Sequence, residues 1–143
     1  MNFAFNITIP AHTPKENPLV EILRLDKGIV YDFEIISSQG CNGEVYCYIT
    51  DLFDNKVFPR NPDGVYRLWG QQIKGRYPSC KFELTGTHMN LKFIGYSPNA
   101  DYDHTITVSF WIVREEDIPF LEKISSIKEL TGLASGFELL KEV

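Results

Sequence analysis

The stretch Ile29-Val30-Tyr31-Asp32-Phe33-Glu34-Ile35-Ile36, entered through the turn Asp26-Lys27-Gly28, decides the fold. Ile29, Tyr31, Phe33 and Ile35 alternate with Val30, Asp32, Glu34 and Ile36, and successive side chains of a strand point to opposite faces. Upstream, Phe3, Phe5, Ile7 and Ile9 hold one parity against Asn2, Asn6 and Thr8. Pro10-Ala11-His12-Thr13-Pro14 then interrupts, since proline has no N–H to give a ladder. Leu19 to Leu25 forms a second apolar run before the turn.

The same period continues downstream. Val45, Cys47 and Ile49 alternate with Tyr46, Tyr48 and Thr50 after the polar, glycine-bearing loop Ser37 to Gly43. Asp54-Asn55 turns the chain into Lys56 to Phe58, and Pro59 to Gly64 is strong loop chemistry. Tyr66 to Lys74 holds one or two short strands. Cys80 to Leu84, then Met89, Leu91 and Phe93, then Ile106, Val108, Phe110 and Ile112 against Thr105, Thr107 and Ser109, complete the pattern. Strands at this rhythm, with no helix-period segment between them, exclude a parallel βαβ fold and predict an all-β, antiparallel two-sheet sandwich of jelly-roll type over residues 1–113.

At Arg114 the period changes. Ile118, Leu121, Ile124, Ile127, Leu130 and Leu133 recur every three or four residues, as on an amphipathic helix. Ser126 with Glu129 and Ser135 with Glu138 have capping-box spacing, and Gly132 and Gly136 are candidate stops. Residues 114–143 therefore form an expected helical extension. Its apolar residues Ile118, Leu121, Ile124, Leu130, Leu133, Phe137 and Leu140 are a candidate docking tail, for its own domain or for a neighbour.

Composition narrows the function classes. The 143 residues carry 14 basic and 19 acidic side chains, a net charge of −5, which argues against a nucleic-acid binder because no basic excess displaces phosphate counterions. No apolar run approaches the roughly 20 residues that span a bilayer, and Met1-Asn2-Phe3 opens no signal peptide. Cys41, Cys47 and Cys80 lack zinc spacing and are read as free, buried thiols.

No constellation points to catalysis. Asp101, Asp103 and His104 are the one local set resembling a cation site, and a solvated acidic loop explains them better. There is no Gly-x-Ser-x-Gly elbow and no phosphate loop at Gly40 to Gly43. The expectation is a protein without cofactor, metal or enzymatic activity. Aromatic residues are the alternative signal: 10 Phe, 7 Tyr and 2 Trp. Tyr46, Tyr48, Tyr66, Trp69, Tyr77, Tyr96 and Tyr102 are candidate platforms for a sugar ring or a partner, with Gln71, Gln72, Asn99 and Asp101 as hydroxyl partners. Trp111, on the polar parity of the last strand, is expected to meet a partner or the C-terminal helices.

Several segments together resemble a known group. Phe5-Asn6-Ile7-Thr8-Ile9-Pro10-Ala11-His12-Thr13-Pro14, Asn17-Pro18, the strand after Gly28, Gly40 and Gly43, Phe58-Pro59 with Asn61-Pro62-Asp63-Gly64, and His104-Thr105-Ile106-Thr107-Val108 are similar to small β-sandwich virion structural proteins of bacterial and archaeal viruses, including capsid-decorating proteins. The similarity covers residues 3–113, with a departure at Ser37-Ser38-Gln39, where an aromatic-proline turn is expected. The resemblance implies a non-enzymatic capsid-decorating or spike component, made in the host cytoplasm and located in the virion. It implies a homo-oligomer, expectedly a trimer, that contacts a capsid or other virion protein. A carbohydrate-binding sandwich module is the alternative, and insertion into a membrane is not expected.

Overall fold

The computed structural model describes residues 1–84 and 90–114. The alternating segments form ten strands: β1 (Asn2–Ile9), β2 (Leu19–Arg24), β3 (Gly28–Ile36), β4 (Val45–Thr50), β5 (Lys56–Phe58), β6 (Tyr66–Leu68), β7 (Gln72–Arg76), β8 (Phe82–Leu84), β9 (Asn90–Tyr96) and β10 (His104–Val113). The expected helical extension, with its candidate docking residues, lies outside the described residues apart from Arg114.

Pairing is nested. β1 pairs with β10, β2 with β9, β3 with β7 and β8, and β4 with β5 and β6, all antiparallel. The two halves of the chain thus run back along each other like one long hairpin, rolled so that alternate pairs fall in different sheets. The first sheet has the order β1-β10-β3-β7, with β8 continuing the β7 side along β3. The second has the order β2-β9-β4-β5, with β6 continuing the β5 side along β4. This is the two-sheet antiparallel jelly-roll sandwich expected from the period-two pattern.

The core lies between the inward parities of the two sheets. Ile7, Ile9, Phe33, Ile35, Ile106, Val108, Phe110 and Ile112 from the first sheet meet Leu23, Val45, Cys47, Ile49, Phe58, Leu68, Leu91 and Phe93 from the second. Phe33 stacks on Phe58 at 4.3 Å between ring centroids, and Phe110 lies 6.3 Å from Phe58 and 6.4 Å from Phe5. Gly95 takes an inward position of β9 where a Cβ would stand 2.6 Å from Ile9 Cδ1, so any larger residue there requires the Ile9 side chain to shift.

One strand corrects the sequence reading. The β10–β3 register pairs Trp111 with Asp32 and Ile112 with Val30, leaving Tyr31 as an extra residue on β3. Such a bulge reverses the alternation on one side of itself. Val30, which shares a sequence parity with Asp32 and Glu34, therefore joins the core, while Tyr31 falls out of the row of Phe33 and Ile35 and offers its carbonyl oxygen to Cys80 Sγ at 2.9 Å.

Candidate functional site

The outer faces of the two sheets differ in chemistry. On the first sheet the outward rows of β1 and the facing part of β10 are small and polar: Thr8 Oγ1 and Thr105 Oγ1 are 3.0 Å apart, and Thr107 Oγ1 donates to Asn6 Oδ1 at 2.9 Å. Trp111 lies there beside Asp32, Glu34, Lys74 and Arg76, in a shallow cleft. Tyr77 follows β7 on the same sheet, its backbone N–H donating to Asp32 Oδ1.

The second sheet carries an aromatic outer face. Register sets Val20, Ile94 and Tyr48 in one cross-strand row, and Tyr46 beside Tyr96 in another. Tyr46 and Tyr96 stack at 5.1 Å with 12° between their planes. Arg67 extends the stack: its guanidinium lies 5.5 Å from the Tyr46 ring and 4.5 Å from the Trp69 ring, while Nε donates to Gly43 O at 2.7 Å. Trp69, 53% exposed, is oriented by Gln71, whose Oε1 accepts its backbone N–H at 2.6 Å. At the other end Lys56 Nζ stands 4.4 Å over the Tyr48 ring and donates to Gly64 O at 2.6 Å.

A trough crosses this face between residues 15–18 and residues 60–65. One portion, about 560 Å³, is lined by Val20, Tyr48, Ile94, Asp54, Lys56 and Arg60. An adjoining portion, about 410 Å³, is lined by Lys15, Tyr48, Lys56, Pro62, Asp63 and Tyr96. The two share Tyr48, Lys56 and Pro62, and each falls within the about 300–1,000 Å³ range of small-ligand sites. Asp54 is engaged by Lys92, Nζ to Oδ1 3.0 Å. Lys56, by contrast, contacts a carbonyl and a ring, and among the described residues no carboxylate pairs with its charge. Burial pushes the Tyr96 hydroxyl up from its ordinary pKa, with Tyr46 and Tyr48 adding to the effect, so that phenol stays a neutral donor.

The sequence candidates separate accordingly. Tyr46, Tyr48 and Trp69 meet on the second sheet's outer face. Tyr66 does not: β6 pairs Cys47 with Tyr66, both inward, and its ring lies 6.2 Å from Phe33. Burial pushes its pKa up to about 12, helped by the neighbouring Cys47 and Cys80. Tyr77 and Trp111 belong to the first sheet. Gln72 donates to Glu34 on that sheet, and Asn99 and Asp101 lie in the β9–β10 loop, where Asp101 faces His12 at 3.5 Å. Asp103 Oδ1 accepts the Ala11 N–H at 2.7 Å, so Asp101 and Asp103 tie two loops together. Among the described residues no group of three or more His, Cys, Asp or Glu is placed to hold a metal, and no helix is long and apolar enough to cross a membrane. Cys41, Cys47 and Cys80 are free and buried, and burial pushes the Cys47 thiol well up.

Sequence reasoning missed Lys15, Lys56, Arg60 and Ile94. The cations fall in separate loops and a three-residue strand, and only cross-strand register gathers them. The available signal was Lys56, which pairs with Thr50 on the same parity as Tyr46 and Tyr48.

No protein-family model matches the chain, and no curated protein matches it. Among solved structures, a chain of tomato aspermy virus is similar at 16% identity and TM-score 0.38, over 80% of this chain and 79% of that one. FeII HppE is similar at 5% identity and TM-score 0.38, over 77% of this chain and 43% of that one. The Yersinia pseudotuberculosis-derived mitogen is similar at 8% identity and TM-score 0.36, over 79% and 86%. Likenesses at this level carry no conclusion about activity.

Proposed function

We propose that this protein is a non-enzymatic virion structural component, a capsid-decorating or spike subunit, that assembles with copies of itself through the open edge of its first sheet. The observation that carries this reading is β1. Its sequence, Asn-Phe-Ala-Phe-Asn-Ile-Thr-Ile, has no charge and no proline, and it keeps unbroken register with β10 over all eight residues. Natural proteins blunt such edges with charges, prolines or bulges, because unpaired N–H and C=O groups recruit another strand. Among the described residues nothing pairs with the outer side of β1.

The geometry is suited to strand addition. Met1 and Ile112 exchange both backbone hydrogen bonds, so in an antiparallel ladder Phe3, Phe5, Ile7 and Ile9 also bond to β10. Ala4, Asn6 and Thr8 consequently direct their N–H groups to the open edge. Phe3 and Phe5 are half-buried against the core, and an added strand completes their burial. A threefold ring requires a head-to-tail contact between two different patches, and each sheet of this domain offers two unlike edges. The resemblance of residues 3–113 to virion proteins supports the same role, with a capsid or other virion protein as the second partner.

The test is Ala4→Pro. Its lost N–H faces the open edge and makes no bond to β10, so the isolated fold tolerates it while an incoming strand does not. Light scattering on the wild type is expected to give about three times the 16.4 kDa chain mass, and Ala4→Pro a monomer with an unchanged circular dichroism spectrum. A wild type that is monomeric at micromolar concentration, or an Ala4→Pro variant that assembles normally, contradicts the proposal.

A further inference from the structure

The geometry points to the trough on the outer face of the second sheet as a binding site for a carboxylate-bearing saccharide, a site separate from the β1 edge and independent of assembly. Three features converge there. Half-buried Tyr48 gives the floor a ring surface of the kind on which the C–H face of a pyranose packs, beside the exposed Val20, while the buried Tyr96 and Ile94 shape the floor beneath them. Lys15, Lys56 and Arg60 supply cations along its length, although the chain as a whole is acidic. Arg60 is held by the Lys81 carbonyl oxygen, and Lys56 by Gly64 O, so two of the three charges are anchored rather than loose.

The carboxylates in the same trough decide between ligand classes. Asp54 and Asp63 are acceptors that a hydroxyl-rich ligand satisfies by donating O–H, while a polyphosphate backbone is repelled by them. An acidic peptide offers few donors of that kind away from its backbone. A neutral sugar, in turn, leaves the Lys56 ammonium without an anion. A sugar acid matches all three: its carboxylate to Lys56 and the neighbouring cations through charge-assisted hydrogen bonds, its hydroxyls to Asp54, Asn55 and Asp63, its apolar face to Tyr48.

The experiment is calorimetric titration of the intact protein with sialyllactose and with tetragalacturonate, alongside lactose and carboxyl-reduced tetragalacturonate. At least one acidic ligand is expected to bind, and its neutral counterpart to bind about tenfold more weakly or not at all. Lys56→Met and Tyr48→Ala are expected to weaken binding about tenfold or more, with Lys56→Gln as the second variant should the methionine disturb folding. Ala4→Pro is expected to bind as the wild type does, which separates this site from the assembly edge. Absence of binding by both acidic ligands at millimolar concentration overturns the proposal. So does equal binding of the neutral ligands, undiminished binding by folded Lys56→Gln, or preference for polyglutamate or a single-stranded oligonucleotide.

Discussion

β1 and β2 are consecutive strands, each at the open edge of its own sheet, and they treat that edge in opposite ways. β2 carries Glu21 on its inward parity, opposite the fully buried Phe93, follows directly on Pro18, and ends in Arg24. A charge on the inward row of an edge strand keeps a second chain from extending the sheet, because the extension would bury it. β1 has no such device, although it is longer by two residues. The difference separates two kinds of contact. In the proposed assembly strand addition falls to the first sheet, whose outer rows beside the edge are small and polar, and the second sheet is left to present its aromatic face and trough.

The largest expected effect removes what both edges share. Phe110 is fully buried and packs on Phe5 and Phe58, so it joins β1 to the core that β2 also closes. Phe110→Ala is expected to cost about 3–5 kcal/mol in urea unfolding, and a loss under about 1 kcal/mol contradicts the packing described. Removing the guard from β2 sharpens the comparison directly. Glu21→Val gives the second edge the unguarded character of the first, and size-exclusion chromatography is expected to reveal new higher-order species absent from the wild type. An unchanged profile means that Glu21 is not what protects this edge.

A smaller effect follows pH. Tyr66 is held neutral up to about 12 in the folded protein, against an ordinary value of 10.0. The unfolded chain releases this proton first, so stability is at its full value below about pH 9 and falls as pH rises from 10 towards 12. Tyr66→Phe has no proton to release and is expected to flatten that part of the stability profile. An equally steep decline in Tyr66→Phe assigns the alkaline sensitivity to other groups.

Much of the sandwich was legible because a half-buried strand writes its burial into every second residue. β1 obeys the rule throughout, and β4, β9 and β10 obey it until a neighbouring segment covers their outer row as well, at Thr50, Ile94 and Ser109. β3 breaks it at Tyr31, since a bulge is a property of the pairing rather than of the strand and leaves no local mark. The same limit explains the site. Tyr46 and Tyr48 were recognisable from parity within one strand. Tyr66 was misplaced because β6 is three residues long and its face is set by its pairing with Cys47. Lys15, Lys56 and Arg60 became neighbours only through the jelly-roll roll-up, which brings loops distant in sequence to one side of a sheet.

The most direct measurement is residue-resolved amide hydrogen exchange along β1. Phe3, Phe5, Ile7 and Ile9 bond to β10 and are expected to exchange slowly at every protein concentration. Ala4, Asn6 and Thr8 are expected to be as slow at assembling concentration and to become fast on dilution, and Asn6 and Thr8 to become fast also in Ala4→Pro, which has no amide hydrogen at residue 4. Fast exchange at Ala4, Asn6 and Thr8 while the protein remains assembled contradicts strand addition at this edge, and with it the proposed mode of assembly.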